Sequence, residues 1–236
     1  MRHIRPANEF EIDTFTTVAY PGAGKGTVLE GLIHHMQQER RKNDLFEVGA
    51  MVRRHIHQGT EFGRQAVDYS GKGLLVPDEV IIPHIRESIA QLDMDSVLFL
   101  DGFPRSGGQI DAYEEEMDTY HRNHRILRLR LGRDERDERR IAEERMIKRG
   151  EEATRKRLTD KSVKVRKDDV DPVARARRLD EAAMLHDVIA HFEARGKVVT
   201  IDATKSIIDV RRSAWNAILR LLPKISRKET GAVDRD

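Results

Sequence analysis

A chain of 236 residues without one cysteine excludes disulfides and thiolate metal sites, and 38% hydrophobic against 36% charged residues is too apolar for wholesale disorder. The length suffices for one large domain, or for a core carrying inserted lobes. Net charge is only +2, yet residues 139–178 hold fifteen Lys or Arg against eight Asp or Glu, a basic segment on an otherwise acidic chain.

Such a segment marks where a polyanion goes. It contains no aromatic residue, so single-stranded nucleic acid, which stacks on aromatics, is disfavoured against a smaller anion such as a nucleotide triphosphate. No apolar run reaches the length that spans a bilayer, and the first residues, Met1-Arg2-His3-Ile4-Arg5-Pro6, lack the apolar stretch of a secretion signal. A cytoplasmic protein without membrane contact is the expectation.

In chain order, a β-type run at residues 14–18 leads into Ala19-Tyr20-Pro21-Gly22-Ala23-Gly24-Lys25-Gly26-Thr27. A helix is predicted at 26–42 from the spacing of Leu29, Leu32, Ile33 and Met36. A tight glycine turn between strand and helix cradles phosphate, because backbone N–H groups face the anion and the helix dipole favours it. The generic phosphate loop has Gly first and Ser or Thr directly after Lys. Here Ala19 and Gly26 hold those positions, with Thr27 one place late.

A short strand is expected near 45–48, and a helix at 78–91 with Val80, Ile81, Ile85 and Ile89 on its buried face. The run Val97-Leu98-Phe99-Leu100 is continuously apolar, as in a central parallel strand covered on both faces. It runs into Asp101-Gly102-Phe103-Pro104-Arg105, which places Arg105 in the turn at the strand's carboxyl edge, where a guanidinium grips phosphate. Asp101 is placed to orient a metal-bound water or a basic side chain. Further along, helices are expected at 109–121, 173–195 and 205–222 and strands at 126–131 and 198–201, with Trp215 in the core and the helix stopped by Pro223 before a disordered tail, 223–236. Strands alternating with helices argue for α/β architecture, a parallel sheet with ligands at the carboxyl ends of its strands.

The glycine loop, Gly73-Leu74-Leu75-Val76-Pro77-Asp78-Glu79, the Asp101–Arg105 stretch and Arg166-Lys167-Asp168-Asp169 occur in this order. Together they resemble the adenylate kinase family of nucleoside monophosphate kinases, from about Phe15 to Leu222. The resemblance implies a P-loop core at 14–45, 77–144 and 173–222, a monophosphate-binding lobe at 46–76 and a lid at 145–172. It also implies reversible transfer of the terminal phosphoryl of Mg-ATP to AMP, giving two ADP, by a monomer.

On that resemblance Pro21, Gly22, Ala23, Gly24, Lys25, Gly26 and Thr27 hold the donor, Arg145 packs on its adenine, and Arg149 reaches its phosphates. The acceptor falls to Arg53, Gly73, Val76, Gly102, Arg105, Gln109, Arg166 and Arg177, with Gln109 reading adenine. Lys25, Arg105, Arg149, Arg166 and Arg177 surround the transferring group, and Asp101 meets Mg²⁺ through water. Asp168 and Asp169 match the lid's carboxylate pair, a hinge and Arg-orienting element. Phosphoryl transfer between nucleotides needs no protein nucleophile, only positioning and charge neutralisation behind a closing lid.

The chain departs from the family in places. Ala19 replaces the leading Gly of the loop, and Val48 and Ala50 stand where Thr and Asp are common. Residues 152–165 lengthen the lid without supplying Cys, and His is absent between Arg125 and Leu185, so no structural zinc is expected. Arg155, Lys156 and Arg157 lack a family counterpart and fit a solvated helix face. The pairs His34/His35, His55/His57 and His121/His124 suit surface helices better than a metal. The competing readings are a kinase for UMP, CMP or another monophosphate, and a catalytically degenerate nucleotide-binding module.

Overall fold

The computed structural model describes residues 12–72 and 74–222; Gly73 and the 223–236 tail, with the expectations attached to them, lie outside that range. Five strands form one parallel sheet: β1 (Thr14–Ala19), β2 (Asn43–Glu47), β3 (Val97–Asp101), β4 (His124–Arg130) and β5 (Val198–Asp202), in the spatial order β2-β3-β1-β4-β5. All four pairings are parallel, so each connection crosses over through a helix. The helices are α1 (Lys25–Gln38), α2 (Val48–Gln58), α3 (Glu61–Lys72), α4 (Asp78–Ile89), α5 (Ile110–Thr119), α6 (Glu135–Thr159), α7 (Lys167–Val170), α8 (Pro172–Ala183), α9 (Leu185–Glu193) and α10 (Ile207–Leu219).

Side chains on a strand alternate between faces, which splits the core in two. Phe15, Phe99, Leu127 and Leu129 face one way, against Leu29 and Leu32 of α1 and Val210 and Ile218 of α10. Phe15 and Phe99 are register partners on β1 and β3, with ring centroids 6.0 Å apart. Leu98, Leu100 and Ile126 face the other way, against Ile85 and Ile89 of α4, Tyr113 and Met117 of α5, and Val188 and Phe192 of α9. The buried hydroxyl of Thr16 is satisfied at 2.9 Å by that of Tyr113. Among the described residues no helix is long and apolar enough to cross a membrane.

The structure departs from the sequence reading in identifiable places. Residues 48–72 form two helices that were not foreseen, and the strand expected near 45–48 is β2, which ends at Glu47. The helix expected at 173–195 is two helices broken at Met184. Its buried series Leu179, Ala182, Leu185, Val188 keeps three-residue spacing across the break, so periodicity cannot reveal it. Most of the 152–165 stretch continues α6, whose exposed Arg155, Lys156 and Arg157 form a solvated face.

His124 lies on β4 rather than on a surface helix, 4% exposed, packed edge-on against Tyr113 and Phe192. Burial pushes its imidazole down to about 4. Trp215 is only half-buried and stacks on His35 at 4.8 Å.

Helices α2 and α3 cross very closely. A Cβ at Gly63 would sit 2.1 Å from the carbonyl oxygen of His55, backbone that cannot rotate away. Gly63→Ala is therefore expected to force the two helices apart, lowering unfolding stability by roughly 1–3 kcal/mol in denaturant titration; an unchanged midpoint would contradict the close crossing.

Candidate active site

The loop after β1 turns through a hydrogen bond from the Ala23 N–H to the Tyr20 carbonyl, 3.2 Å. Gly22 and Gly24 both take φ of +80°, a left-handed conformation that side chains resist. Gly24 is the N-cap of α1 and offers no side-chain cap. The first amides of the helix therefore point outward unsatisfied, as an anion requires. Gly22 also admits Arg145 of α6: a Cβ there would lie 3.0 Å from the Arg145 Cβ, and Arg145 Nη1 donates to the Gly22 carbonyl at 3.2 Å.

Beyond the loop lies the carboxyl edge of β1 and β3. Lys25, at the start of α1, donates to Asp101 Oδ1 at the end of β3, and Thr17 Oγ1 lies 3.4 Å from the same oxygen. Lys25, Arg105 and Arg178 wall one small cleft together with Pro21 and Gly102. Glu181, one turn beyond Arg178 on α8, accepts from Arg178 Nη1 at 2.9 Å and lies 3.9 Å from Arg105 Nη2. Burial is the main reason that Lys25 sits below the ordinary lysine range, with Asp101 opposing it. Arg105 is held down to about 10, first by burial and then by repulsion from Arg178, against Glu181 and Asp101. Three cations in one desolvated cleft thus lean on two carboxylates.

A second cavity of about 170 Å³ opens on the other side of Gly102 and Arg105. Val48, Val52 and Ile81 give it apolar walls, and Val76 and Leu75 close one side. Arg53 reaches it from α2, with Nη1 3.1 Å from where a Cβ on Gly49 would sit. Gln109, 6% exposed, closes the end of the 3₁₀ turn Gly107–Gln109. Its Oε1 accepts from the Arg105 N–H at 2.9 Å, and its Nε2 donates to Asp78 Oδ1 at 2.5 Å.

The remaining arginines fall elsewhere. Arg149 makes a two-pronged pair with the buried carboxylate of Asp169, at 2.7 and 2.5 Å, and Arg175 Nη1 donates to the Asp169 carbonyl at 2.9 Å. α6 and α7 touch where a Cβ on Gly150 would lie 2.8 Å from the Asp169 carbonyl. Arg166 is exposed at the N-cap of α7 and is not a wall of either cavity. Arg177 is likewise absent from those walls, while its neighbour Arg178 is present. One residue turns a helix by about 100°, so of the neighbours Arg177 and Arg178 only the second borders this cleft. Leu179, buried beside Arg178, and the three-residue step to Glu181 were the available signals.

A family model described as adenylate kinase matches residues 17–198. An adenylate kinase of Nitrobacter winogradskyi is 30% identical over 200 residues, covering 85% of this chain and 90% of that protein. One from Streptomyces griseus is 33% identical over 215 residues, covering 85% and 95%. One from Desulforamulus reducens is 42% identical over 94 residues, covering 40% and 42%.

The cleft makes two predictions about anion binding, both measurable by calorimetry with inorganic tripolyphosphate. Arg178→Ala should weaken affinity by roughly tenfold or more, the value of a charge-assisted hydrogen bond, while Arg177→Ala changes it by less than about twofold; equal losses would refute the placement. Anions bind the charged form of Lys25. Because burial depresses its pKa in the free protein, affinity should fall as pH rises before the ordinary lysine range is reached, and Lys25→Met should remove that part of the slope.

Proposed function

The chain belongs to the adenylate kinase family, whose members are nucleoside monophosphate kinases, and from that premise we propose that it transfers the terminal phosphoryl group of Mg-ATP to AMP, giving two ADP, reversibly. The observation that carries the proposal is the shared wall. Arg105 and Gly102 border both the cation-lined cleft beside the glycine loop and the apolar cavity beside Gln109. Two phosphate-bearing ligands in those cavities meet end to end at Arg105, the geometry of direct in-line transfer.

In this reading the amides after Gly24 hold the donor's outer phosphates and Lys25 neutralises them, exchanging its bond to Asp101 for one to phosphate. Arg105 and Arg178 stabilise charge on the moving group as it leaves one oxygen and reaches the other. Arg53 holds the acceptor phosphate, and the cavity beside Val48 and Val76 takes its base. Mg²⁺ fits the residues present: Asp101 offers a hard carboxylate oxygen beside the Thr17 hydroxyl. When bound, the metal offsets phosphate charge.

The same proposal assigns residues 46–76 to the acceptor and 145–172 to a lid. Lid closure brings Arg149 and Arg166 toward the donor and excludes water, which would otherwise hydrolyse it. Arg145, already on the loop, stacks on the donor adenine.

A coupled assay with Mg-ATP and AMP, UMP, CMP or GMP tests the proposal. AMP should be the preferred acceptor. Lys25→Met and Arg105→Ala should each lower kcat by roughly a thousandfold or more while retaining a native circular dichroism spectrum. Absence of turnover with every acceptor would overturn the kinase reading, and UMP or CMP ahead of AMP would replace the acceptor.

A further inference from the structure

The acceptor cavity holds a polar arrangement that the proposed reaction does not use. Among the described residues, Gln109 carries the only uncharged hydrogen-bonding side chain on its walls; the others are apolar residues, glycines and the two arginines. A carboxamide is an ambivalent reader. Exchanging its oxygen and nitrogen by rotation lets it face either of two opposite hydrogen-bond patterns. One pattern is a ring acceptor beside an exocyclic amine, as in adenine and cytosine. The other is a ring N–H beside a carbonyl, as in hypoxanthine, guanine and uracil.

Here that rotation is blocked from both ends. The Arg105 N–H can only donate, so it demands the oxygen, and the Asp78 carboxylate demands the nitrogen. A flipped amide would set donor against donor and acceptor against acceptor in a buried place, where unmatched polar groups are costly. Each lock consumes one valence. One N–H and one oxygen lone pair are left for the ligand, in a fixed order.

We infer that Asp78 is a specificity-determining residue that acts through Gln109. By fixing the amide's orientation, it lets the acceptor cavity match only one of these two patterns, which for the proposed AMP acceptor is the amine beside a ring acceptor nitrogen. This inference rests on the proposed acceptor role of the cavity. Asp78 is a positioning residue; it is not itself among the cavity's walls. Its place at the first position of α4, with Oδ2 3.3 Å from where a Cβ on Gly108 would sit, keeps the carboxylate against the turn that carries Gln109.

The test compares kcat/KM for AMP and IMP, which differ at this edge of the base alone, in the wild-type protein and in Asp78→Leu and Asp78→Ala. Neither replacement can accept from Gln109 Nε2, and leucine, close to aspartate in bulk, carries the test if the alanine variant does not fold. In the wild-type protein AMP should exceed IMP. The AMP/IMP ratio should fall by roughly tenfold in the variants, about the worth of one buried hydrogen bond, and the CMP/UMP ratio should move the same way. KM for ATP should stay unchanged, which a general loosening of the fold would not allow. An unchanged AMP/IMP ratio in a folded variant overturns the inference and leaves the kinase reading standing. A wild-type protein that turns over no monophosphate overturns both.

Discussion

Everything at this site depends on holding Lys25, Arg105 and Arg178 together in one narrow, partly buried cleft. Like charges in low dielectric repel strongly, and each loses hydration on burial. The depressed pKa values of Lys25 and Arg105 are the trace of that cost. Asp101 and Glu181 offset it only in part, two negative charges against three positive. A polyanion completes the neutralisation, so the cleft is built to be most stable when phosphate is present.

The sheet topology makes this crowding possible. β1 lies between β3 and β4, and parallel pairing with β3 brings their carboxyl ends together. Lys25 follows the first of these strands by a glycine turn, and Arg105 follows the second by a turn through Gly102. Arg178 comes from the far side on α8. α6 then ties this edge to the rest of the chain. It is fixed near its start by Glu138, which accepts from the Leu131 N–H at 3.0 Å and pairs with Arg128 at 3.0 Å. Two turns later it touches the glycine loop through Arg145, and one turn further it grips Asp169 through Arg149. One continuous helix thus contacts both the glycine loop at Gly22 and Asp169 of α7.

How much of this was legible follows from the kind of signal each part leaves. β3 could be read because Val97 to Leu100 are apolar on both faces, and the loop because only glycines allow its conformation. α6 was missed as a long helix since its buried seam is Glu138, Ala142, Met146 and Gly150: the spacing is helical, but a charged residue and two small ones carry no hydrophobic stripe. α2 and α3 did leave a signal that the sequence reading passed over: Val48, Met51, Val52 and Ile56 on one, and Phe62, Ala66 and Tyr69 on the other, recur at helical spacing and pack into the core. Arg178 was hidden by its neighbour, since one-residue helical phase is finer than motif spacing resolves. Glu181 left only its three-residue step from Arg178, a weak signal, because a counterion to partly buried arginines looks in sequence like any other helix carboxylate.

The departure at Val48 and the arrangement around Gln109 belong to one argument. Where the family commonly has a threonine, Val48 presents only methyl groups, 3.4 Å from where a Cβ on Gly102 would stand. The cavity thereby loses a hydroxyl that could accept or donate as the ligand demanded. A hydroxyl rotates to suit its partner and discriminates weakly. An amide locked at both ends cannot adapt, and apolar walls raise the cost of any mismatch it meets. Removing the adaptable group therefore sharpens the reading made by the rigid one. On the proposed reading, the selectivity of this cavity rests on a single pre-oriented side chain.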